Sequence, residues 1–410
     1  MAVTVERPPG DTAIRPLTID IPEADLEDLR TRIAAARWPD KETVEDQSQG
    51  TPLATLQALA HRWLTEYDWR DCERRLNAHP NFVTEIDGLD IHFIHARSEH
   101  EDALPIVICH GWPGSVVEQL KVIDPLIDPT AHDGSASDAF HVVVPSMPGY
   151  GFSGKPSETG WDPLRIANAF VELMRRLGYS RFVAQGGDWG AIVVETMAGG
   201  RDHPQPAVPA PQELVGIHTN MASAVPPDIH TAATQGHPPP EGLSTDELSA
   251  YEQLRFFYGT HLAYAQMMGS RPQTLAGLAD SPVGLAAFMI DHDAATLDLI
   301  IRAFRGEPTG VTPDDVLDNV TLYWLTNTGV SASRLYGEYG GTFFAVKNVT
   351  IPVGVSAFPD ELYRAPRSWA ERAYPNLVHY NALPVGTHFA AWEQPRLFTD
   401  EVRATFRSLR

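Results

Sequence analysis

The sequence predicts an α/β fold with a mainly parallel sheet, a helical insertion and an N-terminal helical arm. Three observations support this prediction. Short apolar runs alternate with helical patterns between residues 104 and 200, which is typical of βαβ units. The pattern is mostly helical over residues 221–339, and strand signals return at 349–355 and 377–380. A sheet that is interrupted and then resumed indicates one domain that carries a lid.

The composition of the chain argues against several classes of function. The chain has 410 residues with 31 Lys and Arg against 53 Asp and Glu, a formal net charge of -22. Such a charge argues against nucleic acid and anionic membrane surfaces as partners. With only Cys72 and Cys109, no apolar leader at the start and no apolar run of membrane-spanning length, we expect a cytoplasmic protein without a membrane partner. We expect no metal and no cofactor.

The first 84 residues are predicted to form the helical arm. A short strand is possible at Pro16–Ile21, and Pro22 suits the first turn of a helix. A second helix is predicted from about Pro52, and a third near Asp71–Leu76. We expect this arm to pack on a larger body.

The core is predicted at residues 85–220 and 346–410, with the lid at 221–345. Asp87 and Gly88 sit between two alternating apolar stretches, as in a β-hairpin. Ile106–Cys109 and Val142–Val144 are continuous apolar runs, as expected of strands that are buried on both faces. A helix should follow Asp162 and end near Gly178.

The stretch Phe182–Gly190 carries the first chemical signal. An apolar strand runs into Gly-Gly-Asp-Trp-Gly and then into a helical pattern, the context of the nucleophile elbow G-x-S-x-G with Asp188 in place of Ser. A carboxylate that attacks a saturated carbon forms a stable ester, which water can then cleave. Asp188 therefore points to substrates opened at an sp³ carbon, such as epoxides or haloalkanes.

Two further stretches fit an elbow of this kind. His110-Gly111-Trp112-Pro113 follows a buried strand, so the backbone N–H groups of Trp112 and Trp189 can form an oxyanion hole. His388 lies between the last strand and the last helix, where a water-activating histidine is expected. Its orienting acid should follow a late strand, and spacing alone leaves both Asp360 and Glu361 as candidates.

Taken together, these motifs resemble the epoxide hydrolases of the microsomal-type branch, which have an α/β-hydrolase fold and an N-terminal helical arm. The similarity extends over nearly the whole chain. The five motifs that carry it, in order, are His110-Gly111-Trp112-Pro113-Gly114-Ser115, Pro148-Gly149-Tyr150-Gly151-Phe152-Ser153, Gly186-Gly187-Asp188-Trp189-Gly190, Asp280-Ser281-Pro282-Val283-Gly284-Leu285 and Gly386-Thr387-His388-Phe389-Ala390-Ala391.

The resemblance implies further site residues. The acid of the family stands fourth in a Phe-Pro-x-[Asp/Glu]-Leu stretch, which selects Glu361. Two lid tyrosines of the family bind the epoxide oxygen, and they match Tyr264 and Tyr336, with Tyr339 as a close alternative. A phenol with a pKa of about 10 can donate a proton without being ionised at neutral pH. The Pro-rich stretch 201–212 departs from compact relatives.

Trp112, Trp189 and Phe152 are expected to contact the substrate. Lid aromatics suggest that this substrate is a bulky apolar or aromatic epoxide, although they could equally form the core of the lid; they are Phe256, Phe257, Phe288 and Trp324.

The expected function is therefore hydrolysis of such an epoxide to a vicinal diol through an Asp188 ester, in detoxification or secondary metabolism. A haloalkane dehalogenase is the nearest alternative, but Trp112 stands where a halide-binding Asn would be expected. A non-catalytic ligand-binding protein is the alternative from another class, and the complete set of Asp188, Glu361 and His388 argues against it. The expected partners are an epoxide and water, and a homodimer is possible.

Overall fold

The computed structural model describes residues 12–202 and 208–410. Part of the predicted N-terminal arm and part of the Pro-rich stretch 201–212 lie outside these residues. Within the described part, one sheet contains β1 (Arg15–Leu17), β2 (Asn81–Ile86), β3 (Leu89–Ala96), β4 (Leu104–Cys109), β5 (Phe140–Pro145), β6 (Phe182–Gly186), β7 (Leu214–Thr219), β8 (Val353–Ala357) and β9 (Leu377–Ala382).

The α-helices of the described residues are α1 (Glu23–Ala34), α2 (Leu53–Thr65), α3 (Trp69–Asn77), α4 (Leu120–Ile127), α5 (Pro163–Arg176), α6 (Trp189–Met197), α7 (Pro227–Thr234), α8 (Thr245–Thr260), α9 (Ala263–Ser270), α10 (Pro282–Ile290), α11 (Ala294–Phe304), α12 (Pro313–Thr326), α13 (Gly329–Ser333), α14 (Leu335–Glu338), α15 (Arg367–Ala373), α16 (Ala390–Glu393) and α17 (Pro395–Phe406). Short 3₁₀ helices lie at Val116–Gln119, Pro129–Ala131, Ala136–Asp138, Pro272–Ala279 and Arg407–Leu409.

The sheet is mainly parallel, as the sequence predicts. Its strand order is β1-β2-β3-β5-β4-β6-β7-β8-β9. The pairings from β5 to β9 are parallel, whereas β1, β2 and β3 extend one edge through antiparallel pairing. The β2–β3 hairpin turns at Asp87 and Gly88, which both have positive φ. Parallel strands in this order require helices on both faces of the sheet.

Strand β4 shows why the core strands carry no alternation of apolar and polar residues. Val107 and Cys109 belong to the apolar cluster on one face, and Ile106 and Ile108 belong to the cluster on the other. All four side chains are fully buried. Because both faces are covered, a run of consecutive apolar residues is the expected signature.

The N-terminal segment contributes strands as well as helices to the fold. Its described part supplies β1 and most of β2 to the central sheet. The helices of this segment pack on the helical insertion: Trp63 Nε1 donates to Thr321 Oγ1 over 2.9 Å, and the Tyr67 hydroxyl donates to Asp318 over 2.8 Å. The segment therefore joins the insertion to the edge of the sheet.

The insertion contains α7 to α14 and lies between β7 and β8 in the chain. Strand β7, at Leu214–Thr219, is one that the sequence analysis missed. No helix among the described residues is long and apolar enough to cross a bilayer. The parallel strands β4, β6, β8 and β9 all end at one edge of the sheet, where loops that follow parallel strands gather. Trp112, Asp188, Glu361 and His388 follow these four strand ends in turn.

Candidate active site

Asp188 occupies a strained turn between β6 and α6. Its φ of 50° and ψ of -129° are unusual for a residue with a side chain. A side chain at Gly186 would overlap the backbone of Gly190, and a side chain at Gly190 would overlap the backbone of Cys109. These glycines are needed because the turn packs directly against the end of β4. The turn presents Asp188 at the sheet edge.

Two backbone N–H groups act on the Asp188 carboxylate. The N–H of Trp112 donates to Oδ1 over 2.7 Å. Burial raises the pKa of Asp188, while the charges of His388 and His292 and hydrogen bonds from the N–H groups of Trp189 and Trp112 oppose that rise. These are the two donors that the sequence assigned to an oxyanion hole, and they converge on one buried carboxyl group.

His388 lies between two carboxylates. Its Nδ1 is 2.5 Å from Glu361 Oε1, and its Nε2 is 3.7 Å from Asp188 Oδ2. Burial disfavours the imidazolium and is the largest single effect. The charge and hydrogen bond of Glu361, together with the charges of Asp188 and Asp293, outweigh it, so the pKa of His388 is raised to about 10. Asp360, the other candidate acid, is exposed, and its backbone N–H donates to Gly386.

The two predicted lid tyrosines reach the same place as Asp188. Tyr264 on α9 and Tyr336 on α14 are partly buried, with ring centroids 6.0 Å apart, and both line a cavity with Asp188. Burial and the charge of Asp188 raise the pKa of each phenol well above its usual value, so both are protonated donors. Tyr339 also lines this cavity, but its hydroxyl donates to Asp202 over 3.3 Å.

The cavity between the elbow and the insertion has a volume of about 170 Å³ and mostly apolar walls. We call it the lid cavity. Its apolar lining consists mainly of Phe257, Tyr258, Leu262, Phe343, Phe344 and Leu362. A mostly apolar lining with a few polar groups is typical of a site that binds an apolar organic ligand.

The other predicted aromatic contacts divide between the site and the surroundings. Trp189 lines the lid cavity. The Trp112 ring is stacked on Tyr264 with centroids 5.1 Å apart and is not part of the cavity wall. Phe288 packs edge-on against Trp112. Phe256 is 54% exposed.

Trp324, the last of the lid aromatics, contacts Arg32 of α1 and so belongs to the interface with the N-terminal segment. Of the four lid aromatics named from the sequence, the structure thus brings only Phe257 to the cavity wall.

Phe152 does not line the lid cavity, and its contact with substrate stays a prediction. Its ring lies edge-on to His92 with centroids 5.2 Å apart. The reason is the neighbouring residue: Ser153 Oγ accepts from the backbone N–H of His92 over 2.9 Å and donates to the Ser146 carbonyl. These bonds fix the turn against β3, so Phe152 packs away from Asp188.

Sequence reasoning missed a second buried histidine at the site. The His292 ring lies 4.6 Å from that of His388, and its Nδ1 is 2.9 Å from Asp293 Oδ2. The signal was the triplet Asp291-His292-Asp293 directly after an apolar helix. Within the described residues, one ligand atom each from Asp188, His292 and His388 lie within 4.8 Å of one another, a set that could hold a metal. A metal there would bind the carboxylate of Asp188 itself.

Two family models and several known proteins match this chain. A family model described as Epoxide hydrolase N terminus matches residues 14–119, and one described as alpha/beta hydrolase fold matches residues 105–207. A protein of Stigmatella aurantiaca, provisionally named an epoxide hydrolase, is 49% identical over 97% of this chain and 86% of its own length. Epoxide hydrolase 1 of Oryctolagus cuniculus is 34% identical over 97% of this chain and 90% of its own.

Solved structures give the same result. The juvenile hormone epoxide hydrolase of the silkworm Bombyx mori superimposes with a TM-score of 0.83 at 29% identity, over 97% of this chain and 96% of that one. The Aspergillus niger epoxide hydrolase gives a TM-score of 0.79 at 30% identity over 99% of both chains. The chain therefore belongs to the epoxide hydrolases, a family of hydrolytic enzymes built on the α/β-hydrolase fold.

Proposed function

We propose that the protein converts a bulky apolar or aromatic epoxide into a vicinal diol through a covalent ester on Asp188. The observation that carries the proposal is the position of Asp188. Its carboxylate adjoins the His388–Glu361 pair and lines the lid cavity together with Tyr264 and Tyr336.

In the first half-reaction, Asp188 attacks a ring carbon, and the bond from that carbon to the epoxide oxygen breaks. The oxygen develops negative charge as it leaves. Tyr264 and Tyr336 hydrogen-bond that oxygen, and one of them gives it a proton. The raised pKa of both phenols keeps them protonated until the ring opens.

In the second half-reaction, His388 activates water against the Asp188 ester. Formation of the ester removes the carboxylate charge that helps to hold a proton on His388. The imidazole can then release that proton and act as a base. Glu361 holds Nδ1, which leaves Nε2 directed at the water, and the N–H groups of Trp112 and Trp189 stabilise the tetrahedral oxyanion.

The substrate class follows from the walls of the lid cavity. Aromatic and aliphatic side chains from the insertion surround the space next to Asp188. Burial of an arene or a branched alkyl group against them removes apolar surface from water, at roughly 25 cal/mol per Å². We include in the proposal that residues 221–345 form a lid over residues 85–220 and 346–410.

A turnover screen tests the proposal directly. The panel contains styrene oxide, epoxides with bulkier arene groups, short linear epoxides and a few haloalkanes. We expect diol from the arene-bearing epoxides at a higher kcat/KM than from the linear ones, and no halide release. Halide release without diol would instead favour the dehalogenase alternative, and preference for the smallest epoxides would contradict the substrate class.

A further inference from the structure

A second, smaller cavity touches Asp188 from another direction. We call it the rear cavity. Its volume is about 20 Å³, enough for one water molecule. Asp188 and His388 line it together with Glu118, Gln119 and Asn220, and it is also closed by helix α16. Among the residues that the structure describes, Asp188 is the one that lines both this cavity and the lid cavity.

The walls of the rear cavity carry polar atoms that need a partner. Gln119 Nε2 donates to Glu118 Oε1 over 2.9 Å. Among the described residues, however, Glu118 Oε2 and Gln119 Oε1 have no hydrogen-bond partner, and both are buried. A buried polar atom without a partner costs about 1–3 kcal/mol. A polar space that is large enough for a water, and lined by such atoms, is where buried water is found.

The two cavities offer separate places for the two reactants of an epoxide hydrolase, the epoxide and the water. A substrate that fills the lid cavity displaces water from the tyrosine side of Asp188. The ester that then forms still has to meet a water molecule beside His388. The rear cavity touches both of these residues, and its wall, as far as the described chain forms it, contains no aromatic residue of the insertion.

We propose that the rear cavity holds the water that cleaves the Asp188 ester, and that Glu118 and Gln119 position this water. The inference rests on the covalent mechanism proposed above and adds the site of its second substrate. Glu118 lies in the same cavity wall as the two reacting side chains, but it is assigned a positioning role and not that of a base.

The chemistry of Glu118 fits that role. Burial raises the pKa of Glu118 to about 8, which leaves the group mostly protonated at neutral pH. With Oε1 accepting from Gln119, the Oε2 hydroxyl is free to donate to the water oxygen. A neutral acid of this kind holds the water without competing with His388 for its proton.

Cleavage of the ester consumes one water molecule and passes a proton through His388. The water oxygen bonds to Cγ of Asp188 while His388 Nε2 takes one proton. The tetrahedral intermediate collapses, the bond between Cγ and the ester oxygen breaks, and the imidazolium returns its proton to the diol oxygen. Asp188 is left as an acid, and the proton that it releases replaces the one lost by the tyrosine. The sum is epoxide plus water to diol.

The experiment measures the two half-reactions separately with styrene oxide in single turnover. Glu118→Leu removes the donor and places apolar atoms beside the cavity. We expect ester cleavage to slow by about 10- to 100-fold, the scale expected when a reacting group is misplaced, with alkylation within about 2-fold of wild type. Intact-protein mass should then show the Asp188 adduct. Glu118→Gln, which keeps a neutral donor of the same shape, should restore most of the cleavage rate.

Ala391→Val is the second variant, since Ala391 lines the same cavity and the substitution adds methyl groups there while leaving Glu118 itself unchanged. It should show the same selective loss, and it decides the outcome if Glu118→Leu does not fold. Cleavage at the wild-type rate in the filled variants, or equal slowing of both half-reactions, would overturn the inference. If His388→Gln also fails to accumulate any adduct, the covalent mechanism itself is wrong, which separates the two failures.

Discussion

Glu361 Oε1 and His388 Nδ1 are 2.5 Å apart, and both side chains are buried. The neighbouring acid, Asp360, is exposed and meets the Thr387 backbone in an isolated β-bridge. Adjacent residues thus have opposite surroundings: one carboxylate points at the imidazole and the other at solvent. Of the two acids, therefore, Glu361 is the one that reaches His388, while Asp360 is fixed in the bridge with its side chain exposed.

The first prediction tests which acid orients His388. Glu361→Gln should slow ester cleavage by about 10²-fold or more, because an amide neither holds the useful tautomer nor stabilises the imidazolium. Alkylation should change far less. Asp360→Asn is the matched control and should stay close to wild type. Single-turnover rates of the two steps measure the difference, and the reverse ranking would move the orienting role to Asp360.

The second prediction concerns the nucleophile. Asp188→Asn should abolish diol formation, because an amide is a poor nucleophile at carbon. The variant should keep the wild-type thermal unfolding temperature to within a few degrees, since Asn also tolerates positive φ. Diol is measured with freshly prepared protein, and mass spectrometry checks that the introduced amide has not deamidated back to the acid. Near-normal diol production from protein verified in this way is incompatible with the assignment.

The third prediction separates the roles of histidine and tyrosine. His388→Gln should still form the Asp188 ester but cleave it at least about 10²-fold more slowly, so the adduct accumulates. The double variant Tyr264→Phe with Tyr336→Phe should form no adduct on the same time scale, because the leaving oxygen has no donor. Tyr339→Phe is the matched control, since the Tyr339 hydroxyl donates to Asp202. An adduct in the double variant and none in the histidine variant would reverse the assignment.

Much of the fold could be predicted because local signals and tertiary structure agree. The continuous apolar run of β4 and the glycines around Asp188 each have a direct structural cause, namely burial on two faces and close backbone approach. Strand β7 was missed because Gly216 and His218 interrupt a short apolar run that follows prolines. The edge strand β1 covers three residues where a longer stretch was expected, because its pairing with β2 decides its length.

Site residues could be predicted from the sequence only where they stand in a recognisable motif. Asp188 and His388 stand in glycine-rich turns after strands, so their positions could be predicted. His292 approaches from the insertion, and nothing in the local pattern tells that its ring meets His388. Phe152 lies within a motif of the family yet packs on His92. A motif predicts the turn in which a residue lies. The direction of its side chain, in contrast, depends on contacts with residues that are distant in the sequence.

The fourth prediction is a pH dependence of stability at the junction of the N-terminal segment and the insertion. Burial raises the pKa of Asp318 to about 6, despite its ion pair with Arg75. The folded state therefore binds this proton more tightly than the unfolded state. The resulting stabilisation is complete below about pH 4 and is lost as the pH rises through about 6. Its size is at most about 3 kcal/mol.

Asp318→Asn removes the titrating group and should remove this slope. Urea unfolding at pH values from 4 to 7 gives the free energy of unfolding of both proteins. As the pH rises from 4 to 7, the free energy of unfolding of the wild type should fall relative to that of the variant. Glu66→Gln, at an exposed ion pair of α2 with Arg62, serves as the control and should leave the slope unchanged. A constant difference across the range contradicts the assignment.

The fifth prediction follows the oxygen atoms. If Asp188 forms an ester, one of its carboxylate oxygens becomes the new diol oxygen. Water then attacks the ester carbonyl and replaces that oxygen on the side chain. A single turnover in ¹⁸O water, with enzyme in excess over styrene oxide, should give mostly unlabelled diol and a labelled Asp188 peptide. Further turnovers should label the diol, because the regenerated carboxylate now carries the heavy oxygen.

The competing mechanism makes the opposite prediction, so one experiment decides between them. If Asp188 acted as a general base that directs water onto the epoxide carbon, the first diol would be labelled and the Asp188 peptide would not. His388→Gln provides the control, because its slow ester cleavage should delay both the release of diol and the labelling of the peptide. Labelled diol in the first turnover would rule out the covalent route even if every variant lost activity as expected, since loss of activity alone fits either mechanism.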